Sequence, residues 1–126
     1  MSRVLDSSAI VAFVMHEPGS ENLGPSLKGS LISAVNLSET INALERRGGM
    51  LTQITSNLEE LGIIVVEFDA ALAVQTAALA GPSRHAGLSL GDRACLALAT
   101  REQLPAVTAD RAWSRVRVGV EIQLIR

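Results

Sequence analysis

The chain has 126 residues, 48% of them apolar and 19% charged, with a net charge of −2. That composition excludes a disordered chain, and the length predicts one domain over residues 1–126. The only aromatics are Phe13, Phe68 and Trp113, too few for a base-stacking platform. The slightly acidic balance also excludes nucleic-acid binding driven by overall positive charge, so any such contact must come from a local patch or a bound metal.

Arg supplies ten of the eleven basic residues, Lys28 being the exception. Cys95 is the only cysteine, which excludes an internal disulfide and a cysteine-based zinc site. The opening residues lack the apolar stretch of a signal peptide, and no apolar run reaches membrane-spanning length. The expectation is a soluble, cytoplasmic protein.

Val4-Leu5 predicts a short buried strand ending at Asp6. Ser7 and Ser8 can cap a helix through Val14, closed by Glu17-Pro18-Gly19. A short polar helix is expected around Glu21 to Leu27, then a strand over Ser30 to Ser33. Asn36 to Arg47 reads as a helix stopped by Gly48-Gly49, and Leu51 to Leu61 as another. Ile63-Ile64-Val65-Val66 is the clearest strand, apolar and β-branched enough for a buried parallel position. Asp69 caps an alanine-rich helix from Ala70 to Ala80, and Gly81 to Gly87 reads as a loop. Ser89 to Glu102 is a strong helix with Cys95, Leu96, Leu98 and Ala99 on its buried side. A strand over Pro105 to Thr108, a short helix over Asp110 to Trp113 and an edge strand over Ile122 to Ile125 complete the chain. This alternation predicts an α/β fold with a parallel sheet covered on both faces.

Four acids stand at the ends of these elements: Asp6, Glu39, Asp92 and Asp110. Each has a purely structural explanation. Asp6 and Asp110 suit helix N-caps. Glu39 follows Asn36 by three, and Asp92 follows Ser89 by three, both capping-box spacings. Asp92, however, shares a helical face with Cys95, Leu96 and Ala99, and burying an unpaired charge is expensive. As a set, the four belong on the rim where open α/β sheets place their ligands. Two carboxylates 4 Å apart repel by about 4 kcal/mol at an effective dielectric near 20, and a divalent cation relieves this. All-oxygen donors suit Mg²⁺ or Mn²⁺ better than zinc. The chemistry expected there is phosphodiester hydrolysis, one metal acidifying a water and a second stabilising the leaving oxygen.

Val4-Leu5-Asp6-Ser7-Ser8-Ala9, Ser38-Glu39, Leu90-Gly91-Asp92-Arg93-Ala94-Cys95-Leu96-Ala97 and Thr108-Ala109-Asp110 resemble the PIN-domain ribonucleases. Among them, the VapC toxins of bacterial VapBC toxin–antitoxin systems look most similar. The resemblance implies a three-layer α/β/α domain with about five parallel strands. It implies a Mg²⁺- or Mn²⁺-dependent endoribonuclease toxin acting on structured RNA, either transfer or ribosomal. It further implies a homodimer and a cognate VapB antitoxin whose C-terminal segment lies over the active-site groove. Asp6, Glu39, Asp92 and Asp110 would be the metal-site acids. Thr108, two residues before the last acid, would organise the site, and Ser7 could act similarly.

Arg46, Arg47, Arg84 and Arg93 are candidates for phosphate contacts, although surface arginines are commonly just solvated. Arg111, Arg115 and Arg117 form a second basic group best explained by solubility. His16 and His85 lie in loops without partners for a nucleophile triad. Cys95 suits the core, and Trp113 packs the last short helix onto the sheet. The competing functions are a PIN-like RNA-processing nuclease and a catalytically silent binding module of the same fold. A flap-type DNA nuclease would need an added helical arch. A haloacid-dehalogenase-like site would need Asp where Ser8 stands, and a receiver domain would need a late Lys. No G-x-G-x-x-G turn follows the first strand, so a dinucleotide fold is also excluded.

Overall fold

A computed structural model describes residues 2–126. Five strands form one parallel sheet: β1 (Val4–Leu5), β2 (Leu31–Ser33), β3 (Ile64–Val66), β4 (Ala106–Thr108) and β5 (Ile122–Leu124), in the order β3-β2-β1-β4-β5. Val4 pairs with Leu31 on one side and Ala106 on the other, so the two-residue β1 is the centre of the sheet. The helices are α1 (Ser7–Met15), α2 (Ala34–Arg46), α3 (Leu51–Glu60), α4 (Ala70–Ala78), α5 (Ala80–Ser83) and α6 (Leu90–Glu102).

Strand periodicity divides the core into two layers. Successive strand side chains face opposite sides of a sheet. Leu5, Ile32 and Val107 therefore join Ile10, Leu44, Ile54 and Leu58 under α1, α2 and α3. Val4 and Ala106 join Leu72, Leu96, Leu98 and Trp113 under α4 and α6. The result is the expected α/β/α sandwich. Trp113 is fully buried on the second face, in a 3₁₀ turn over Arg111–Arg115.

Several local expectations change. Ile64-Val65-Val66 is a strand, but it forms an edge of the sheet, with Ile64 52% and Val65 47% exposed. Its β-branched composition specifies extended backbone and says nothing about its neighbours. α2 begins at Ala34, not Asn36, because the Ser33 hydroxyl at the end of β2 accepts the Val35 N–H and caps it directly. Glu39 consequently lies more than a turn inside the helix, away from the capping-box position. The stretch from Glu21 to Leu27 forms only a 3₁₀ turn, Ser20–Leu23, ended by Gly24-Pro25. The Gly81–Gly87 segment contains most of α5 and a 3₁₀ turn over Arg84–Ala86. Pro82 fits there because the first helical turn needs no N–H from it.

Asp69 and Ser89 cap as expected, accepting N–H bonds from Leu72 (2.9 Å) and Asp92 (3.2 Å). Among the described residues, no helix is long and apolar enough to cross a membrane. Leu98→Ala should lower unfolding free energy by about 2–5 kcal/mol, since Leu98 is fully buried on α6. Val74→Ala, on the exposed side of α4, should change it by less than about 0.5 kcal/mol. Chemical denaturation of the two variants checks both.

Candidate metal and active site

Consecutive strands run outward from β1 through β2 to β3, and the chain then returns to place β4 on the other side of β1. The carboxyl ends of β1 and β4 thus flank a topological switch point, where open sheets bind ligands. Asp6 follows β1 there and is only 3% exposed. It has the extended backbone of an N-cap, but its side chain makes no cap bond to α1. Instead Asp6 Oδ2 accepts two hydroxyl bonds, from Ser8 Oγ at 2.6 Å and Thr108 Oγ1 at 2.9 Å. Ser8 Oγ in turn accepts the Ala109 N–H, and Thr108 Oγ1 accepts the Asp110 N–H at 3.0 Å. Two hydroxyls therefore stitch the ends of β1 and β4 together around one carboxylate.

Glu39 approaches from α2. Its Oε1 accepts from Asn36 Nδ2 at 3.1 Å and Ser7 Oγ at 3.4 Å. Asn36 Nδ2 also donates to the Gly91 carbonyl at 3.0 Å, so this fully buried amide joins α2 to the first turn of α6. Asn36 Oδ1 has no partner. The Glu39 carboxylate lies directly over Gly91, where a Cβ would overlap it. Asp92, in the same turn of α6, completes a full capping box: its Oδ2 accepts the Ser89 N–H at 2.9 Å.

Asp92 and Glu39 are close enough to act on Asp6 electrostatically. Burial pushes the Asp6 carboxyl up to about 6. The Ser8 and Thr108 bonds oppose that rise, and the charges of Asp92 and Glu39 add to it. Among the described residues, no Arg or Lys forms an ion pair with any of the three. Asp110 stands apart: it is exposed, and its Oδ1 accepts the Ala112 N–H at 2.9 Å, the capping role. It connects to the cluster through its backbone N–H on Thr108. As placed, no three His, Cys, Asp or Glu side chains among the described residues stand close enough to hold one ion.

The donor chemistry nevertheless fits a hard cation. Asp6 is buried at a cost that a proton or a cation relieves, and Asp92 and Glu39 add to that cost with no ion-paired Arg or Lys on any of the three among the described residues. Asp6, Glu39 and Asp92 would hold it, with Asp110 at the rim. Burial also pushes the Cys95 thiol well above its ordinary range, helped by the same three charges, so Cys95 remains a protonated core residue. Neither histidine joins the cluster: His16 ends α1 in left-handed backbone, and His85 Nε2 donates to the Arg115 carbonyl at 2.8 Å. Arg93 donates to the Thr76 carbonyl at 3.1 Å and ties α6 to α4.

Ser8, Asn36 and Gly91 are the site residues that sequence reading passed over. The Asp-x-Ser spacing at Asp6 and Ser8, a common side-chain turn at a helix start, hinted at the first of them, and the three-residue spacing of Asn36 and Glu39 hinted at the second.

The raised Asp6 pKa fixes a sign. The native state keeps a proton between the ordinary value of 3.8 and about 6 that the unfolded chain loses. Stability is therefore full below 3.8 and falls by about 3 kcal/mol as pH rises through 6. In chelator, Asp6→Asn should remove that fall and melt higher than wild type at neutral pH. Melting curves of both proteins across this pH range check it. Gly91→Ala should separate site from fold. Ala favours helix by about 1 kcal/mol, and the atoms it displaces belong to a flexible carboxylate end. Its metal-free melting temperature should be unchanged or higher, whereas the rise produced by Mn²⁺ should shrink.

The chain matches the PIN domain family over residues 3–119. No curated protein matches it. Solved structures share its fold at low identity. A DNA-bound VapBC from Salmonella typhimurium is 20% identical, covering all of both chains, with a TM-score of 0.72. Mycobacterium tuberculosis VapC20, a sarcin–ricin loop cleaving toxin, is 19% identical over 90% of this chain and 93% of that one, also at 0.72. A toxin–antitoxin complex from Klebsiella pneumoniae is 16% identical over 95% and 99%, at 0.70. With the family matched across most of its length and Asp6, Glu39 and Asp92 brought to the sheet's switch point, this chain belongs to the PIN domain family.

Proposed function

We propose that the protein is a Mg²⁺- or Mn²⁺-dependent endoribonuclease toxin of the VapC kind, neutralised by a VapB-like antitoxin. The observation that carries this reading is the buried Asp6 with Glu39 and Asp92 near it and, among the described residues, no Arg or Lys ion-paired to any of the three. The fold shared with VapBC complexes supports the toxin and the antitoxin partner. VapC20, a sarcin–ricin loop cleaving toxin, supports structured RNA as the substrate class. The reading includes a homodimer and a single domain across the chain.

A bound Mg²⁺ or Mn²⁺ would supply Lewis acidity, acidifying water and neutralising charge that develops on a phosphodiester during in-line displacement. The chain's own residues prepare for that. Ser8 and Thr108 hold Asp6 in one orientation by occupying a single oxygen. Asn36 holds Glu39, and the Ser89 backbone holds Asp92. Thr108 also fixes the backbone of Asp110. Such restraint matters because misplacing a reacting group by about 1 Å can cost 100-fold in rate.

A second reading, a PIN-fold module without catalysis, draws on the capping bond that turns Asp110 toward Ala112. One experiment separates the two. The purified chain is incubated with total bacterial RNA and Mn²⁺, beside chelator and Asp92→Asn. Discrete fragments that vanish in chelator and fall at least about 100-fold in Asp92→Asn, some 2.7 kcal/mol of transition-state stabilisation, are the expected result. Cleavage that persists in the variant rejects the assignment. A metal-induced rise in melting temperature without cleavage of any RNA favours the silent module.

A further inference from the structure

A groove of about 300 Å³ adjoins the acids, lined by Ser7, Ser8, Glu17, Arg46, Arg47 and Arg126 among others. Ser7 reaches Glu39 on α2, and Glu17, just past α1, reaches Arg47 at the far end of α2. The groove therefore follows α1 and α2 away from the site. Its three guanidinium groups outnumber its one carboxylate by two charges, in a chain whose net charge is −2.

These arginines are not equivalent. Glu17 gives one oxygen to Arg47 (3.4 Å) and the other to Arg126 (3.5 Å). Arg47 also donates to the Ala43 carbonyl at 3.2 Å, and Arg126 to the Pro18 carbonyl at 2.8 Å. Both are thus held against the wall of the groove. Arg46 is exposed and makes no ion pair or side-chain hydrogen bond among the described residues. A guanidinium free to turn its fork outward suits a phosphate, which it can bind through two parallel N–H bonds.

We propose that this groove binds the phosphate backbone of the RNA strand beside the scissile bond. Arg46 is the direct phosphate ligand, and Glu17 is a positioning residue that keeps Arg47 and Arg126 facing the strand. This rests on the nuclease reading above. Seven residues of helix separate Glu39 from Arg46, about 10 Å at 1.5 Å per residue. A phosphate held at Arg46 therefore belongs to a neighbouring nucleotide, not to the bond that breaks.

The test measures binding of a short labelled single-stranded RNA to the intact chain in chelator, as a function of salt. Each phosphate contact on a single strand contributes about 0.7 to the slope of log affinity against log salt. Arg46→Ala should weaken binding about five- to tenfold and lower the slope by about 0.7, whereas Arg46→Lys should keep the slope. Arg101→Ala, at the far end of α6, removes the same charge and should change neither. Glu17→Gln decides the positioning role by its sign. Removing a negative charge tightens binding if Glu17 merely repels RNA, and weakens it if Glu17 orients two arginines. Tighter binding overturns that role, and an Arg46→Ala protein indistinguishable from Arg101→Ala overturns the site. Absence of RNA binding by wild type overturns it too. With Mn²⁺ added, RNA bound through Arg46 but left uncut by wild type keeps the groove and rejects the nuclease. Cleavage with an unchanged slope in Arg46→Ala does the reverse.

Discussion

The organisation of the molecule turns on one buried carboxylate. Asp6 sits at the end of the central strand, nearly inaccessible, with two more acids close by. Such a group needs hydrogen bonds, a counter-charge or a proton. The fold supplies the first through Ser8 and Thr108 and leaves the second open. Those same hydroxyls accept the N–H groups of Ala109 and Asp110, so satisfying Asp6 also joins the ends of β1 and β4. The orientation of Asp6 and the integrity of the switch point rest on one hydrogen-bond network.

Capping and site chemistry are usually weighed as alternatives, and this chain combines them. Asp92 completes a capping box on α6 and also acts on Asp6 through space. The reconciliation is electrostatic. A helix N-terminus carries partial positive charge from unpaired N–H groups and lowers the cost of placing a carboxylate there. The start of α6 therefore offsets part of the cost of placing Asp92 near Asp6. Asn36 does the complementary work between helices: one amide bonds both the Glu39 carboxylate and the Gly91 carbonyl, fixing α2 against α6. Gly91 contributes by lacking a side chain, which lets the carboxylate lie against the helix.

Net charge is a poor guide to such a molecule. The chain is slightly acidic, yet three of its ten arginines line one groove beside the acids. Negative charge lies at the Asp6, Glu39 and Asp92 cluster, and positive charge lies along one groove beside it. Glu17 is acidic by composition, but it holds two guanidinium groups and so shapes a basic surface.

What the sequence determined by itself is local. Val4-Leu5 as a strand, Asp69 and Ser89 as caps and Leu90 to Glu102 as a half-buried helix depend on residues within a few positions of one another. The acids at element ends were equally visible, since helix capping and strand punctuation are short-range effects. What only the tertiary structure decided involves partners far apart in the chain. The β-branched run at Ile64 to Val66 became an edge because sheet order depends on crossovers, not on composition. α2 began early because β2 delivered Ser33 straight into the cap position. Asn36 with Gly91, Thr108 with Asp6 and Glu17 with Arg126 meet across 55, 102 and 109 positions. No local propensity encodes those pairings, because they form only when burial of the two cores brings the segments together.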